Sequence, residues 1–205
     1  MYSSASWDRY FPFVCWTSGG KDNDLLRSLW SRVDIEGAMV GMFHRGSSVF
    51  SRVVHEMKYA RRPQLALGTM RYLLRQQGYA DFFGQCSVVI PVPTTWWRRW
   101  IRGYNPAQLL SDEIARACSL KEMRHVLKRG SGRRQSRTGG VERTHIKGLP
   151  FAVGHDIALL PEGCHVLLVD DVATTGTTLS VCALTLKKVR PDIKISIFTL
   201  AWAGK

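Results

Sequence analysis

Acidic residues are scarce in this chain of 205 residues, 16 against 29 lysines and arginines, which leaves a formal charge of +13. A surface field of that sign gathers phosphates, nucleic acid or anionic lipid, so the expected partners are anions. Long apolar runs are missing too. No stretch approaches the ~18 residues that a membrane-spanning helix needs. The opening MYSSASWDRYFPFVCW has no basic start followed by a long apolar core, the pattern of a secretory leader. The protein is therefore expected to be cytoplasmic, without membrane insertion. Cysteines are few and scattered: Cys15, Cys86, Cys118, Cys164 and Cys182, with no C-x-x-C pair among them. An odd number at wide spacing argues against a disulfide scaffold or a zinc site and for reduced, mostly packed thiols. What remains, 45% hydrophobic and 22% charged residues, is enough for one substantial core with an appendage.

Residues 1–35 mix aromatics with Gly, Ser, Asn and Asp and show no sustained period, so a loosely structured arm is expected there. From Ser47, Phe50, Val53, Val54 and Met57 fall at helical spacing. After Pro63, Ala66, Met70, Leu73 and Leu74 do so again, with an end near Gly78. CSVVIPVP is a short buried strand stopped by Pro91 and Pro93, because proline cannot donate to a sheet ladder. YNPAQLLSDEIARA carries helix-start signals: Asn105 as N-cap, Pro106 in the first turn, and Gln108 placed to close a capping box. MRHVLKR and LPFAVG read as strands around a glycine-rich basic loop over 130–148. Strand Val166–Val169, a loop, a helix from Thr178 to about Val189 and strand IKISIFTLAWA complete the chain. Apolar strands alternating with helices imply a parallel sheet covered on both faces, an α/β fold.

The stretch VLLVDDVATTGTTLS places Asp170 and Asp171 at the carboxyl end of a strand, where open parallel sheets bind ligands. The following loop offers main-chain N–H groups, a flexible Gly176 and the hydroxyls of Thr174, Thr175, Thr177 and Thr178 ahead of a helix N-terminus, an arrangement that favours an anion. With one glycine and no lysine it is neither a triphosphate-binding nor a dinucleotide-binding loop. A nest of this size suits a single phosphate monoester. Two carboxylates beside that phosphate make sense if a ribose lies between, its hydroxyls donating to the acids and its 5′ carbon carrying the phosphate. The alternative is that the acids cap a turn and the threonines form a plain polar loop.

VLLVDDVATTGTT resembles the signature of the type I phosphoribosyltransferase fold. Three further stretches, VVHEMKYARRPQLALGTMRYL, VVIPVPTTWWRRWIRGYNPAQLLSDEIA and RRQSRTGGVERTHIKG, resemble in order and spacing the ComF proteins of bacterial DNA uptake, relatives of amidophosphoribosyltransferase-like enzymes. The resemblance implies a parallel-sheet domain over 36–205 with an N-terminal helical arm and a flexible hood over 130–147. It implies that Asp170 and Asp171 contact the ribose hydroxyls of phosphoribosyl diphosphate or a related ribose 5-phosphate. Ala173, Thr174, Thr175, Gly176, Thr177 and Thr178 then hold the 5′-phosphate. Pro91, Val92, Pro93, Thr94 and Thr95 face the diphosphate, with Arg102 and Lys58 directed to the same anion and Mg²⁺ bridging diphosphate and ribose. Many ComF proteins begin with a four-cysteine zinc finger; this chain keeps only Cys15 there, so no metal is expected in the arm. His145 stands where the hood usually has Asn.

The residues leave other readings open. Lys58 and His55 also fit the solvated flank of an amphipathic helix. Trp96, Trp97 and Trp100 interleaved with Arg98, Arg99 and Arg102 fit a segment that buries indoles and exposes guanidinium groups, or one that stacks single-stranded bases and pairs phosphates. Arg133, Arg134, Arg137, Arg143 and Lys147 fit a hood closing on diphosphate or a basic loop meeting DNA. No stretch reads as a base-recognition element, and no N-terminal catalytic cysteine or glutaminase domain is seen. Transfer of the phosphoribosyl group to a nitrogen acceptor therefore stands beside a non-catalytic module that binds single-stranded DNA and competence partners.

Overall fold

The computed structural model describes residues 24–43, 54–55, 63–76, 78–129 and 151–204. Strands β1 (Gly37–Phe43), β2 (Val88–Pro91), β3 (Lys121–Glu122), β6 (His165–Ala173) and β7 (Lys194–Trp202) form one sheet in the order β1-β7-β6-β2-β3, with every pairing parallel. Strands β4 (Leu127–Arg129) and β5 (Phe151–Val153) form a separate antiparallel pair. This is the α/β architecture of the type I phosphoribosyltransferase fold.

Alternation along the central strands explains the two-sided cover. Val166 and Leu168 of β6, with Ile195 and Ile197 of β7, face helices α1 (Asp24–Trp30) and α6 (Thr177–Val189). Leu167, Val169, Phe198 and Leu200 face the other way, toward α2 (Pro63–Leu74), α3 (Tyr79–Gly84) and α5 (Pro106–Cys118). Both faces of a strand must then be apolar, which is why VLLV is a run rather than an alternation. A buried carboxylate paired with exposed arginines ties two helices of the second face. Glu113 of α5 accepts from Arg71 Nε and Nη2 of α2 at 3.0 Å each and from Arg116 Nη1 at 2.8 Å. The Arg71 hydrogen bonds hold the Glu113 carboxyl below its ordinary range, against the opposing effect of burial.

Several expectations are corrected. The loose arm gives way, over Asp24–Trp30, to a helix whose Leu25, Leu26 and Leu29 are fully buried in the same core as α6. Two turns are too short to establish a period in sequence, yet they cover one end of a sheet face. Strand β1 was not foreseen because GAMVGMF holds two glycines. A Cβ at Gly41 would stand 2.7 Å from the Leu200 carbonyl oxygen, so glycine there permits close packing. Helix α2 ends at Leu74 and not near Gly78, which instead precedes the unforeseen α3 in a left-handed conformation with φ 95°. β6 continues through both aspartates to Ala173. Short β3 was also missed. The cysteine reading is consistent with the fold: Cys86, Cys164 and Cys182 are buried as free thiols and Cys118 is partly so. Among the described residues no helix is long and apolar enough to cross a membrane.

Candidate functional site

Strands β2 and β6 pair side by side, with Pro91 opposite Val169, and both chains leave the sheet at the same end. β2 runs through Val92–Thr95 into α4 (Trp96–Arg102); β6 runs through the acids and a threonine loop into α6. A cleft of about 110 Å³ opens between the two exits. Its floor is Asp170, Asp171 and Val172, with Thr178 at one side. Val92, Pro93 and Thr94 stand at the other, and Arg98, Arg102 and Arg129 complete the wall.

The acids are not equivalent. Asp170 is 9% exposed, and its Oδ1 accepts the main-chain N–H of Asp171 at 2.9 Å. Oδ2 of Asp171 is buried and has no hydrogen-bond partner among the described residues. A buried acceptor without a donor is costly, and the Asp171 carboxylate, which belongs to the cleft lining, would be completed by a donor from a guest. A sugar hydroxyl suits it, and so does a hard cation. Among the described residues no cluster of three metal-ligating side chains occurs. Two carboxylates without a cage fit Mg²⁺ only in its substrate-bridging mode, where waters and phosphate oxygens supply the other ligands.

Three guanidinium groups share the cleft with the acids. Arg129, at the end of β4, lies 5.2 Å over the Phe151 ring. Burial, then repulsion from Arg98, lowers its proton affinity, while Asp170 acts the other way. A cation that cannot be fully hydrated, beside another cation, is suited to an anionic guest. Burial pushes the Tyr104 hydroxyl up, with Arg102 opposing the shift and Asp171 adding to it. Cys182, near Asp170 and Arg129, is pushed well above the ordinary thiol range by burial, so it stays neutral and is no nucleophile.

Of the residues expected from the sequence, the structure brings Val92, Pro93, Thr94, Arg102, Asp170, Asp171 and Thr178 together in the cleft. Pro91 is the last residue of β2, and Thr95 caps α4, its Oγ1 accepting the N–H of Arg98 at 3.2 Å. Ala173 is buried at the end of β6. Thr174, Thr175, Gly176 and Thr177 form the loop next to the cleft without lining it. Lys58, His145 and the 130–147 hood lie outside the described residues.

The capping box is overturned. Asn105 caps nothing with its side chain; its Nδ2 donates to the Val92 carbonyl at 3.0 Å and so holds the β2 exit loop. Gln108 turns to Asp112 and Glu122, at 2.9 and 2.8 Å. Long-range partners won over local ones, which the sequence pattern could not register. Arg98, Asn105, Pro106, Arg129 and Val172 line the cleft without having been singled out for the site; for the two arginines the hint was their sign.

Helix α4 reverses the arrangement of a segment that buries its indoles. Trp96, Trp97 and Trp100 are 75%, 58% and 64% exposed, and no residue of this helix is buried. Arg98 and Arg102 reach the cleft instead. Trp97 and Trp100 stack on each other at 5.2 Å with planes 27° apart.

Comparison with known proteins adds an independent line. Residues 101–204 match the phosphoribosyl transferase domain model, which takes in α5, β6, the threonine loop and α6. The chain is 33% identical over 119 residues to competence protein F of Haemophilus influenzae, covering 57% of this chain and 51% of that protein. It is 32% identical over 113 residues to competence protein ComFC of Bacillus subtilis, covering 55% and 43%. To the DNA utilization protein YhgH of Escherichia coli K12 it is 26% identical over 135 residues, covering 63% and 57%. The aligned segments span about half the length of these curated relatives.

Proposed function

The chain belongs to the phosphoribosyl transferase domain family, in its ComF branch, and from that premise we propose that its cleft binds phosphoribosyl diphosphate with Mg²⁺. The observation that carries this reading is that Asp170 and Asp171 line one cleft together with Arg98, Arg102 and Arg129. A ribose presents hydroxyl donors to Asp170 and Asp171. Its 5′-phosphate lies toward the loop of Ala173, Thr174, Thr175, Gly176, Thr177 and Thr178, where main-chain amides open onto α6. Its diphosphate lies toward Pro91 to Thr95 with Arg98, Arg102 and Arg129.

If the group is transferred, a nitrogen nucleophile forms a bond to C1 as the C1–O bond to diphosphate breaks, through a transition state with oxocarbenium character. The side chains then act by charge. Asp170 and Asp171 hold the ribose and face the positive charge that develops on the ring, and the three arginines hold the leaving diphosphate. Mg²⁺, held by Asp170 and Asp171 together with the substrate, would neutralise diphosphate charge. By relation to the competence and DNA utilization proteins, the protein's place is in the handling of incoming DNA.

The test is titration of phosphoribosyl diphosphate with Mg²⁺ into the wild type and the Asp170→Asn, Asp171→Asn double variant. Each charged hydrogen bond lost is worth about 1.5–3 kcal/mol, so affinity should fall at least ~10-fold. Equal binding by both proteins, or by neither, rejects the reading. Turnover of labelled phosphoribosyl diphosphate against a pool of amines and bases then separates transfer from binding alone.

A second reading rests on α4. Exposed indoles with arginines between them offer stacking faces and phosphate partners to single-stranded DNA, and the net charge of +13 complements the strand. It is compatible with the first, since α4 turns Arg98 and Arg102 to the cleft and its indoles away from it.

A further inference from the structure

The threonine loop is fastened from behind by a residue far outside the family-matched segment. Helix α1 closes in a turn over Leu29, whose carbonyl accepts from Arg32 N at 2.8 Å and Val33 N at 3.0 Å. From that turn, Arg32 Nη1 donates to the Thr175 carbonyl at 2.7 Å and to Thr177 Oγ1 at 3.4 Å. Thr177 Oγ1 is itself 2.9 Å from Thr175 Oγ1. The same helix supports the loop at its glycine. Gly176 has φ 68° and precedes α6, and a Cβ there would meet Leu29 Cδ2 at 3.0 Å and Ser28 Oγ at 3.1 Å.

A peptide unit is planar and trans, so its C=O and N–H point in opposite directions. Drawing the Thr175 carbonyl toward Arg32 turns the Gly176 N–H away from α1. That is one of the amides the phosphate reading needs at the head of α6. Without the bond, a loop of small residues with an exposed Thr174 and Thr175 has other conformations open to it, and binding would have to pay for ordering it. The guanidinium also places a fixed positive charge behind the loop, where a dianionic monoester benefits from it.

We infer that Arg32 is a positioning residue for the 5′-phosphate loop, fixing the Thr175–Gly176 peptide so that its N–H is presented to the ligand. The inference rests on the reading of the cleft above. It extends the site to a part of the chain, the α1–β1 connection, that lies more than sixty residues before the segment matched by the family model.

The experiment uses the full chain as wild type, Arg32→Ala and Arg32→Lys, with ribose 5-phosphate and with Mg²⁺–phosphoribosyl diphosphate as probes. Arg32 is exposed, so the variants should melt with the wild type. Expected are a loss of about 10-fold in affinity for both ligands in Arg32→Ala, partial recovery in Arg32→Lys, and recovery in Arg32→Ala on adding free guanidinium ion. In the ligand-free chain, amide hydrogen exchange at Gly176 and Thr177 should quicken about 10-fold in Arg32→Ala, since the loop is then released. Wild-type binding that Arg32→Ala matches, or exchange that does not change, overturns the role of Arg32 and leaves the cleft reading intact. A wild type that binds neither ligand overturns the cleft reading, and the phosphate role of Arg32 with it.

Discussion

The two walls of the cleft leave neighbouring parallel strands at the same level, yet they are held in opposite ways. On the β6 side, α6 buries Leu179, Ser180, Cys182, Ala183 and Leu186, and its entry loop rests on Leu29 and Ser28 of α1. On the β2 side, α4 buries no residue at all, and its entry loop is held by the Asn105 bond to Val92 and the Thr95 cap. The first wall takes its shape from the core, so its geometry is set before any ligand arrives. The second reaches the core through Val92 alone, and its helix buries nothing, presenting Arg98 and Arg102 to the cleft and its indoles to solvent. Under the proposed function, preorganisation belongs to the β6 side and adaptability to the β2 side.

The comparison breaks most readily at Leu29. Truncating a fully buried leucine leaves a cavity, so Leu29→Ala should cost about 2–5 kcal/mol in denaturant unfolding and loosen the threonine loop with it. A loss below ~1 kcal/mol would mean that α1 is not part of the core and that the β6 wall is no better held than the other.

Acid sharpens the comparison on the face that carries α5. The Glu113 carboxyl is depressed when folded, first by Arg71. Its contribution is therefore complete above the unfolded value of about 4.3 and is lost as pH falls through the lower folded value. Glu113→Gln should lose about 1 kcal/mol at neutral pH, a figure reduced by the exposure of both arginines, and should show a shallower acid limb than wild type. The limb should not vanish, because Asp192, paired with Arg190 and hydrogen-bonded by the Gly163 N–H, is also depressed. Identical acid limbs in the two proteins would remove Glu113 as an anchor.

The smallest stability effect is expected on α4. Trp97→Ala with Trp100→Ala should change unfolding free energy by no more than about 0.5 kcal/mol, as exposed side chains do. The same variant should weaken single-stranded DNA binding by about 1–3 kcal/mol per stacked base. If the double variant unfolds instead, the helix is part of the fold and the contrast between the walls fails. If it is stable and binds DNA as wild type does, the indoles serve another partner.

How much of this was legible beforehand depended on range. The acid pair, the threonine loop, the β2 strand and α5 were readable because each is a contiguous run whose chemistry is local: an apolar strand, a turn glycine, a proline in a first helical turn. The parallel, doubly covered sheet followed from apolar runs alternating with helices. Asn105 and Gln108 were misread for the complementary reason. Local capping and distant pairing compete for the same side-chain atoms, and the distant partners, Val92 and Glu122, are fixed only by the fold. β1 escaped, and α1 was expected only through the family resemblance to a helical arm, because seven-residue elements carry too few positions to show a period.

By itself, then, the sequence determined the fold class and the run of residues from which a ligand reading starts, because charge balance and a contiguous acid–threonine motif are properties of the chain as written. Only tertiary structure decided which cations face that motif, that the indoles of α4 are turned outward, and that Arg32 reaches the loop. Those are relations between residues up to 145 positions apart, such as Arg32 and Thr177, and no local rule contains them. They arise when two faces of one sheet are covered and the leftover polar groups find partners in the space that packing leaves.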